Sequence, residues 1–347
     1  YWSQELRVAS PRDGRLRWQA GFYTFEANPD TSSLAGNLVA NPVPGQPDLP
    51  ARITPQDVDS GTKNEAVFAM LEFDVLENLT LTAEGRQAED TIHTGGRSVF
   101  SKTSNTGFMS GSFSSGCAVV NAPIAGSPNR QILTCANQYV NDSSFKNFLP
   151  RFTATWLASD TLTYYAQYAK GNKPGGFNTD AENARIQPAD RAALATLGLR
   201  SFDEEEADSF EIGFKSRLFD RRVQLNTALY LIDWTNQQLT QTGPVLEEGR
   251  PVGAPTQPQF GTSYTANLGK SEVRGVEMEM LAALGPHWNL RMTYAYQDAK
   301  IKEYFSSDQA DLIFSGPYTG CIAGSQCYAD YLAAGDLGGN VLPRVPK

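Results

Sequence analysis

The chain has 347 residues, a mean hydropathy of -0.38 and a formal charge of -9 at neutral pH. Its longest apolar run, Ala66 to Leu71, is too short for a helical membrane span, and its acidic balance argues against a nucleic-acid partner, because phosphate binding needs a basic surface. Neither observation excludes a membrane β-barrel, whose strands alternate polar and apolar side chains.

Alternation begins at once. Leu6 and Val8 oppose Glu5 and Arg7, Pro11 to Gly14 supplies a turn, and Leu16, Trp18, Ala20 and Phe22 return on one face. A second hairpin sets Val67, Leu71, Phe73 and Val75 against Phe68, Glu72 and Asp74, turns at Glu77-Asn78, and returns through Leu79, Leu81 and Ala83. The third runs through Phe152, Ala154 and Trp156, turns at Ser159-Asp160, and returns through Leu162, Tyr164, Ala166 and Tyr168. The clearest is the fourth, DSFEIGFKSRLF-DRR-VQLNTALYLIDW over 208–234, and a fifth pairs Val276 to Leu284 with Trp288 to Tyr296. Each arm keeps its pattern for about nine to eleven residues, the tilted span of a bilayer by a strand.

Between hairpins lie long Pro-, Gly-, Ser- and Asn-rich stretches, read as irregular loops: Pro29 to about Asn64, Ala88 to Lys146, Gly171 to Ala207, Thr235 to Gly261, and Lys302 to Asn340. The third of these holds AENARIQPADRAALATLGL, with the makings of a short helix. Short turns thus alternate with long loops, as in outer-membrane barrels. The aromatic residues Trp18, Phe22, Trp156, Tyr164, Tyr168, Trp288, Tyr294 and Tyr296 share the apolar parity, as an interface belt requires. The reading is an all-β transmembrane antiparallel barrel, here an incomplete arc of about ten strands. A soluble β-sandwich, as in an extracellular adhesin or lectin, and a passive porin-like channel are the alternatives.

Cys117 with Cys135, and Cys321 with Cys327, form two local pairs in loop-like sequence, which predicts two disulfides and an oxidising compartment. The two histidines, His93 and His287, lie far from both pairs, so a metal site is not expected. Glu277 and Glu279 resemble the paired carboxylates of a glycosidase, but neighbours on one strand face would lie together anyway. With no nucleophile, metal cluster or phosphate loop, the chain reads as a non-enzyme without a cofactor.

Several segments resemble TonB-dependent outer-membrane receptors: SQELRVASPRDGRLRWQAGFYTFE, LTYYAQYAKGNKPGGFN, DSFEIGFKSRLFDRRVQLNTALYLIDW, NLGKSEVRGVEMEM and LPRVPK. The resemblance implies a barrel of about 22 strands with a plugged lumen. Residues 1–347 would then be part of a single barrel domain, an internal piece of a longer protein whose plug domain and C-terminal strands are absent here. It further implies uptake of a scarce nutrient, such as an iron-siderophore complex, in the bacterial outer membrane. The implied partners are outer-membrane lipid, the protein's own plug domain, TonB through that plug, and a small-molecule ligand. Lumen-parity residues Arg17, Arg86, Arg151, Glu211, Lys215, Arg217, Glu277, Glu279 and Arg291 are candidates to hold the plug. Phe108, Phe113, Tyr139 and Phe177 offer ring surface for a ligand in the long loops.

Overall fold

The computed structural model describes residues 1–39, 49–104, 117–184, 186, 191–192, 194–195, 198–245, 260–313 and 326–342. Its strands are β1 (Trp2–Ala9), β2 (Leu16–Ala27), β3 (Asp30–Val39), β4 (Leu49–Leu76), β5 (Leu79–Ser104), β6 (Cys117–Asn121), β7 (Gln131–Ser159), β8 (Leu162–Lys173), β9 (Gly176–Phe177), β10 (Ser201–Phe202), β11 (Glu205–Leu218), β12 (Val223–Val245), β13 (Phe260–Ala283) and β14 (Asn289–Tyr304). Two helices follow, α1 (Ser307–Ile313) and α2 (Gln326–Gly335). Ten strands join in sequence order, β1-β2-β4-β5-β7-β8-β11-β12-β13-β14, as one antiparallel sheet; β3 adds to β4 and β6 to β7. The sheet is an unclosed arc with β1 and β14 at its edges. Apart from it, the described residues form only the two-stranded β9/β10 sheet, so no sandwich partner covers the apolar face.

That face is laid out by register. Phe73, Leu71, Ala69 and Val67 on β4 stand beside Leu16, Trp18, Ala20 and Phe22 on β2, and Phe210, Ile212 and Phe214 on β11 beside Leu231, Leu229 and Thr227 on β12. Aromatic partners from neighbouring strands meet across it: Phe152, Tyr168 and Phe210 at centroid distances of 6.4 and 5.0 Å, and Trp156, Tyr164 and Phe214 at 5.6 and 6.2 Å. Such pairs stabilise a sheet by about 0.2–1 kcal/mol each. Bulky apolar side chains on this face remain exposed, Phe210, Ile212 and Leu229 among them, which is the arrangement for a surface solvated by lipid.

Away from the short turns the belt ends abruptly. On β4 the outward residues change from Val67 to Glu65 and Lys63; on β11 from Phe210 to Asp208 and Glu206; on β13 from Val276 to Arg274 and Glu272. These charges pair along the outer face, Lys146 with Glu89 at 3.4 Å, Lys170 with Glu206 at 2.9 Å and Lys302 with Glu272 at 3.2 Å. Ser144 donates to Glu89 at 2.6 Å, and this bond, with Lys146 beside it, holds the Glu89 carboxyl below its ordinary pKa. Arg274 is register-matched through Leu231, Phe210 and Tyr168 to Phe152, a residue inside the belt on β7. The boundary therefore slips along the strands from one side of the sheet to the other, as strand tilt demands.

The stretches read as irregular loops are largely strand. β4, β5 and β7 run for 28, 26 and 29 residues, and β12 and β13 for 23 and 24. Pro29 to Asn64 holds β3 and the first half of β4, and Ala88 to Lys146 holds the continuation of β5, all of β6 and most of the distal half of β7. Above the belt the outward face meets water, so the outer residues Lys146, Ser144 and Asp142 of β7 replace apolar ones and the alternation by hydropathy disappears while the pairing continues. Between β8 and β11 the only described helical residues are a 3-10 turn over Thr179–Glu182 and the short helical pieces at Arg191, Ala192, Leu194 and Ala195.

Candidate functional site

The inner face of the sheet, opposite the belt, is polar and already laced together. Arg17 bonds Glu72 at 2.5 Å and both oxygens of Asp74 at 2.6 and 2.7 Å. Arg151 bonds Glu84, Arg291 pairs with Glu279 at 3.1 Å, and Arg86 donates to Asn64 at 2.8 Å while lying over the Tyr23 ring. Tyr165 donates to Glu211 at 2.6 Å and carries Lys215 over its ring. Most of the lumen-parity cations named from sequence thus have wall partners. Among the described residues, the side chains of Arg217 and Glu277 make no hydrogen bond or ion pair, although the Arg217 backbone N–H donates to Thr161 O at 2.8 Å.

Glu277 stands between Ala228 of β12 and Ala295 of β14, at the edge of a recess of about 370 Å³ bordered also by Tyr165, Lys215, Asn226 and Glu279. Two glycines make its surroundings possible. A Cβ on Gly213 would lie 2.7 Å from the Tyr165 ring, and one on Gly275 would lie 2.3 Å from that of Tyr230, so each tyrosine lies flat along the wall over a bare backbone. An unpaired carboxylate beside two phenols is suited to receive a cationic or hydrogen-bond-donating group from whatever fills the lumen.

At the far end of the long strands, the described residues among 174–204 fold across the inner face. Ala184 N–H donates to Ser98 Oγ of β5 at 3.0 Å, and Asn137 of β7 donates to the Glu182 carbonyl at 2.8 Å. Glu182 itself is buried and bonded to Arg200. Across the segment, the Asn178 amide donates to Thr265 O at 2.7 Å and to Leu199 O at 2.9 Å, and accepts Thr265 N–H at 2.8 Å. Thr265 lies beyond Gly269, the last β13 residue paired with β14, so the Asn178 side chain satisfies an edge that β14 leaves bare. Asn267 and Gln238 hold the carbonyl of Asp203 at 2.8 and 3.1 Å. The segment is a shelf hung between β5/β7 and β13.

Cys117 and Cys135 are joined as a disulfide between β6 and β7. Cys135 packs with Phe100, Leu133 and Ala184, so the bridge lies in the small core beneath the shelf. Cys327, on α2, is disulfide-bonded, and Cys321 lies outside the described residues. Phe108 and Phe113 also lie outside them. Tyr139 is buried on the inner face of β7, and half-buried Phe177 pairs with Ser201 inside the shelf; neither offers an open ring. The shelf's polar anchors, Asn178, Glu182, Arg200 and Asn267, escaped the sequence reading because nothing in local pattern marks a hydrogen-bond partner from a distant strand. One local signal was present: Gly175-Gly176 permits a contact in which a Cβ would meet Phe202 O at 2.3 Å and the Phe145 ring at 2.5 Å.

Residues 2–347 match the family described as TonB dependent receptor-like, beta-barrel. The chain belongs to that family. Its members are transport receptors and not enzymes, and the family is one of outer-membrane barrels. Among TonB-dependent receptors it is similar to the probable siderophore receptor PiuA of Acinetobacter baumannii, 24% identical over 46% of this chain and 18% of that protein. It is also similar to the ferripyoverdine receptor of Pseudomonas aeruginosa, 22% identical over 55% of this chain and 21% of the relative. The chain thus spans about a fifth of the length of the curated relatives it matches. The solved ferric yersiniabactin uptake receptor FyuA of Yersinia pestis superposes with a TM-score of 0.55 at 16% identity, covering 87% of this chain and 36% of that one. That likeness concerns the fold alone. In a TonB-dependent receptor barrel, the apolar belt is the lipid face and the laced polar face is the lumen wall.

Proposed function

We propose that this chain forms part of the barrel wall of a bacterial outer-membrane receptor that takes up an iron-siderophore complex with energy delivered through TonB. The family match along nearly the whole chain carries the reading, and the names of its relatives, siderophore and ferripyoverdine receptors, supply the substrate class. The wall geometry supports a plug domain in the lumen. Arg17, Arg86, Arg151, Lys215 and Arg291 are occupied along the wall, while Glu277 and its recess stay open toward the interior. In this reading Arg17, Arg86, Arg151 and Arg291 stiffen the wall, whereas Glu211, Glu277 and the tyrosines above Gly213 and Gly275 meet the plug. The shelf of residues 174–204 narrows the mouth and presents the ligand-facing surface.

The test is uptake. The full-length gene, expressed in a receptor-deficient Gram-negative strain, should confer accumulation of iron from one or more ferric hydroxamate, catecholate or mixed-ligand chelates, and only when TonB is present. Accumulation that is unchanged without TonB would point to a passive channel, and no accumulation from any ferric chelate by a surface-expressed barrel would remove the siderophore reading.

A further inference from the structure

The turn between β11 and β12 is built in a way that the register alone does not require. Phe219, Asp220 and Arg221 have φ of 54°, 54° and 65°, three consecutive residues with a Cβ in the left-handed region that favours glycine. Strain retained at a tip is a pointer to use. Its consequence here is that Phe219 stands 74% exposed, with Arg221 and Arg222 beside it.

This turn is tied to the next one. Arg222 O accepts the Ala283 N–H at 2.8 Å, and one residue further Leu284 N–H donates to Trp288 O at 2.9 Å. Leu284 and Trp288 continue the outward parity of Ala282 and Leu290, below the end of the belt, and are 67% and 75% exposed. Three large exposed apolar side chains and two guanidiniums are therefore carried on two backbone-linked turns at the short-turn end, with Asp220 on the same turns and Asp160 on the neighbouring β7/β8 turn. The opposite rim of the belt instead carries a collar of mixed, paired charges, Glu65 with Lys63, Glu89 with Lys146 and Glu272 with Arg274 and Lys302 among them.

We propose that these two turns are a docking surface for the anionic phospholipid headgroups of the periplasmic leaflet, a reading that rests on the barrel assignment above. Phe219, Leu284 and Trp288 sink to the level where headgroups meet acyl chains, and Arg221 and Arg222 bond the phosphates, for which the planar guanidinium fork is suited. Charge complementarity chooses an anionic headgroup over a zwitterionic one. Continuity of Leu284 and Trp288 with the lipid-facing row chooses a membrane over a soluble periplasmic protein, which an arginine- and aromatic-rich patch would otherwise also fit.

The test uses the full-length receptor in detergent, titrated with phosphatidylglycerol or phosphatidylcholine and read by native mass spectrometry. The wild type should retain phosphatidylglycerol selectively, even with excess inorganic phosphate. R221Q/R222Q should lower its affinity about thirty-fold, the effect of removing two surface-apposed cations. R221K/R222K, which keeps both charges, should recover most of the loss, and F219A/W288A should weaken both lipids alike. Equal retention of the two lipids by the wild type, displacement by inorganic phosphate, or unchanged selectivity in R221Q/R222Q would overturn the proposal. Heat-modifiable migration verifies that each variant is folded, and the single variants R221Q and R222Q, each expected to lower the affinity about five-fold, carry the test should the double glutamine variant fail to fold. Iron uptake is measured separately: its absence alongside selective lipid retention would count against the transport reading and leave this surface standing.

Discussion

Asn178→Ala tests the shelf directly. The wild-type amide makes three bonds, to Thr265 O, Leu199 O and from Thr265 N–H, at 2.7, 2.9 and 2.8 Å, and Asn178 is buried. At about 1 kcal/mol net per bond, their removal should destabilise the attachment of residues 174–204 to β13 by about 3 kcal/mol. The strands below do not depend on Asn178, so the cost should appear as local opening and not as loss of the barrel. Thr265 N–H is the natural reporter, since it donates to the Asn178 side chain at 2.8 Å. In hydrogen exchange on the full-length receptor, its protection should fall by roughly a hundredfold, the exchange equivalent of that energy, with Ala181 and Leu199 following if the shelf detaches as a unit. Asn178→Asp should be worse than alanine, because it sets a carboxylate against two carbonyl oxygens that the amide had served as a donor. Unchanged exchange at Thr265 in both variants would refute the argument that this side chain completes the β13 edge.

Leu229→Arg, on the outward face between Ile212 and Val276, should destabilise the barrel by about 2–4 kcal/mol in a vesicle-based urea titration, whereas Asp233→Arg, at the ionic collar, should cost less than about 1 kcal/mol. Equal effects would mean that the belt is not the lipid face. Replacing both Cys117 and Cys135 by serine should cost about 3 kcal/mol locally, the entropy of an unfolded loop closed over a sequence separation of 18; faster exchange at Phe100 and Leu133, with β11 and β12 unaffected, is the expected signature. Glu89 has a folded pKa held below its ordinary value by Ser144 and Lys146. Its contribution is therefore present above about pH 4.5 and is lost as pH falls through the lower folded value. Glu89→Gln should flatten that acid limb in exchange measured at Ser144, while leaving behaviour near neutrality almost unchanged.

How far the sequence reached depended on which solvent each face meets. Within the membrane zone, one face of every strand meets lipid, so Phe210, Ile212, Leu229 and Leu231 had to be apolar while Glu211, Tyr230 and Gly213 did not. Period two, the short turns, the outward aromatic residues and the inward charges were all written locally, and the family resemblance rests on those same segments. Above the belt both faces are wetted or meet other polar chain, the hydropathy signal vanishes, and β3, β6 and the upper halves of β4, β5 and β7 read as loops although their backbones stay paired. The inner wall shows the same division at the scale of single residues. Parity alone placed Arg17, Arg151, Glu279 and Arg291 on one face, but only cross-strand register decided that Arg17 meets Asp74 and Arg291 meets Glu279, leaving Glu277 open. Of the shelf, only Gly175-Gly176 and the makings of a short helix were legible locally. Its anchors join residues as distant as Asn178 and Thr265, and a hydrogen bond between far-apart polar groups leaves no periodic trace in either segment, because only the fold of the segment back across the inner face brings donor and acceptor within reach.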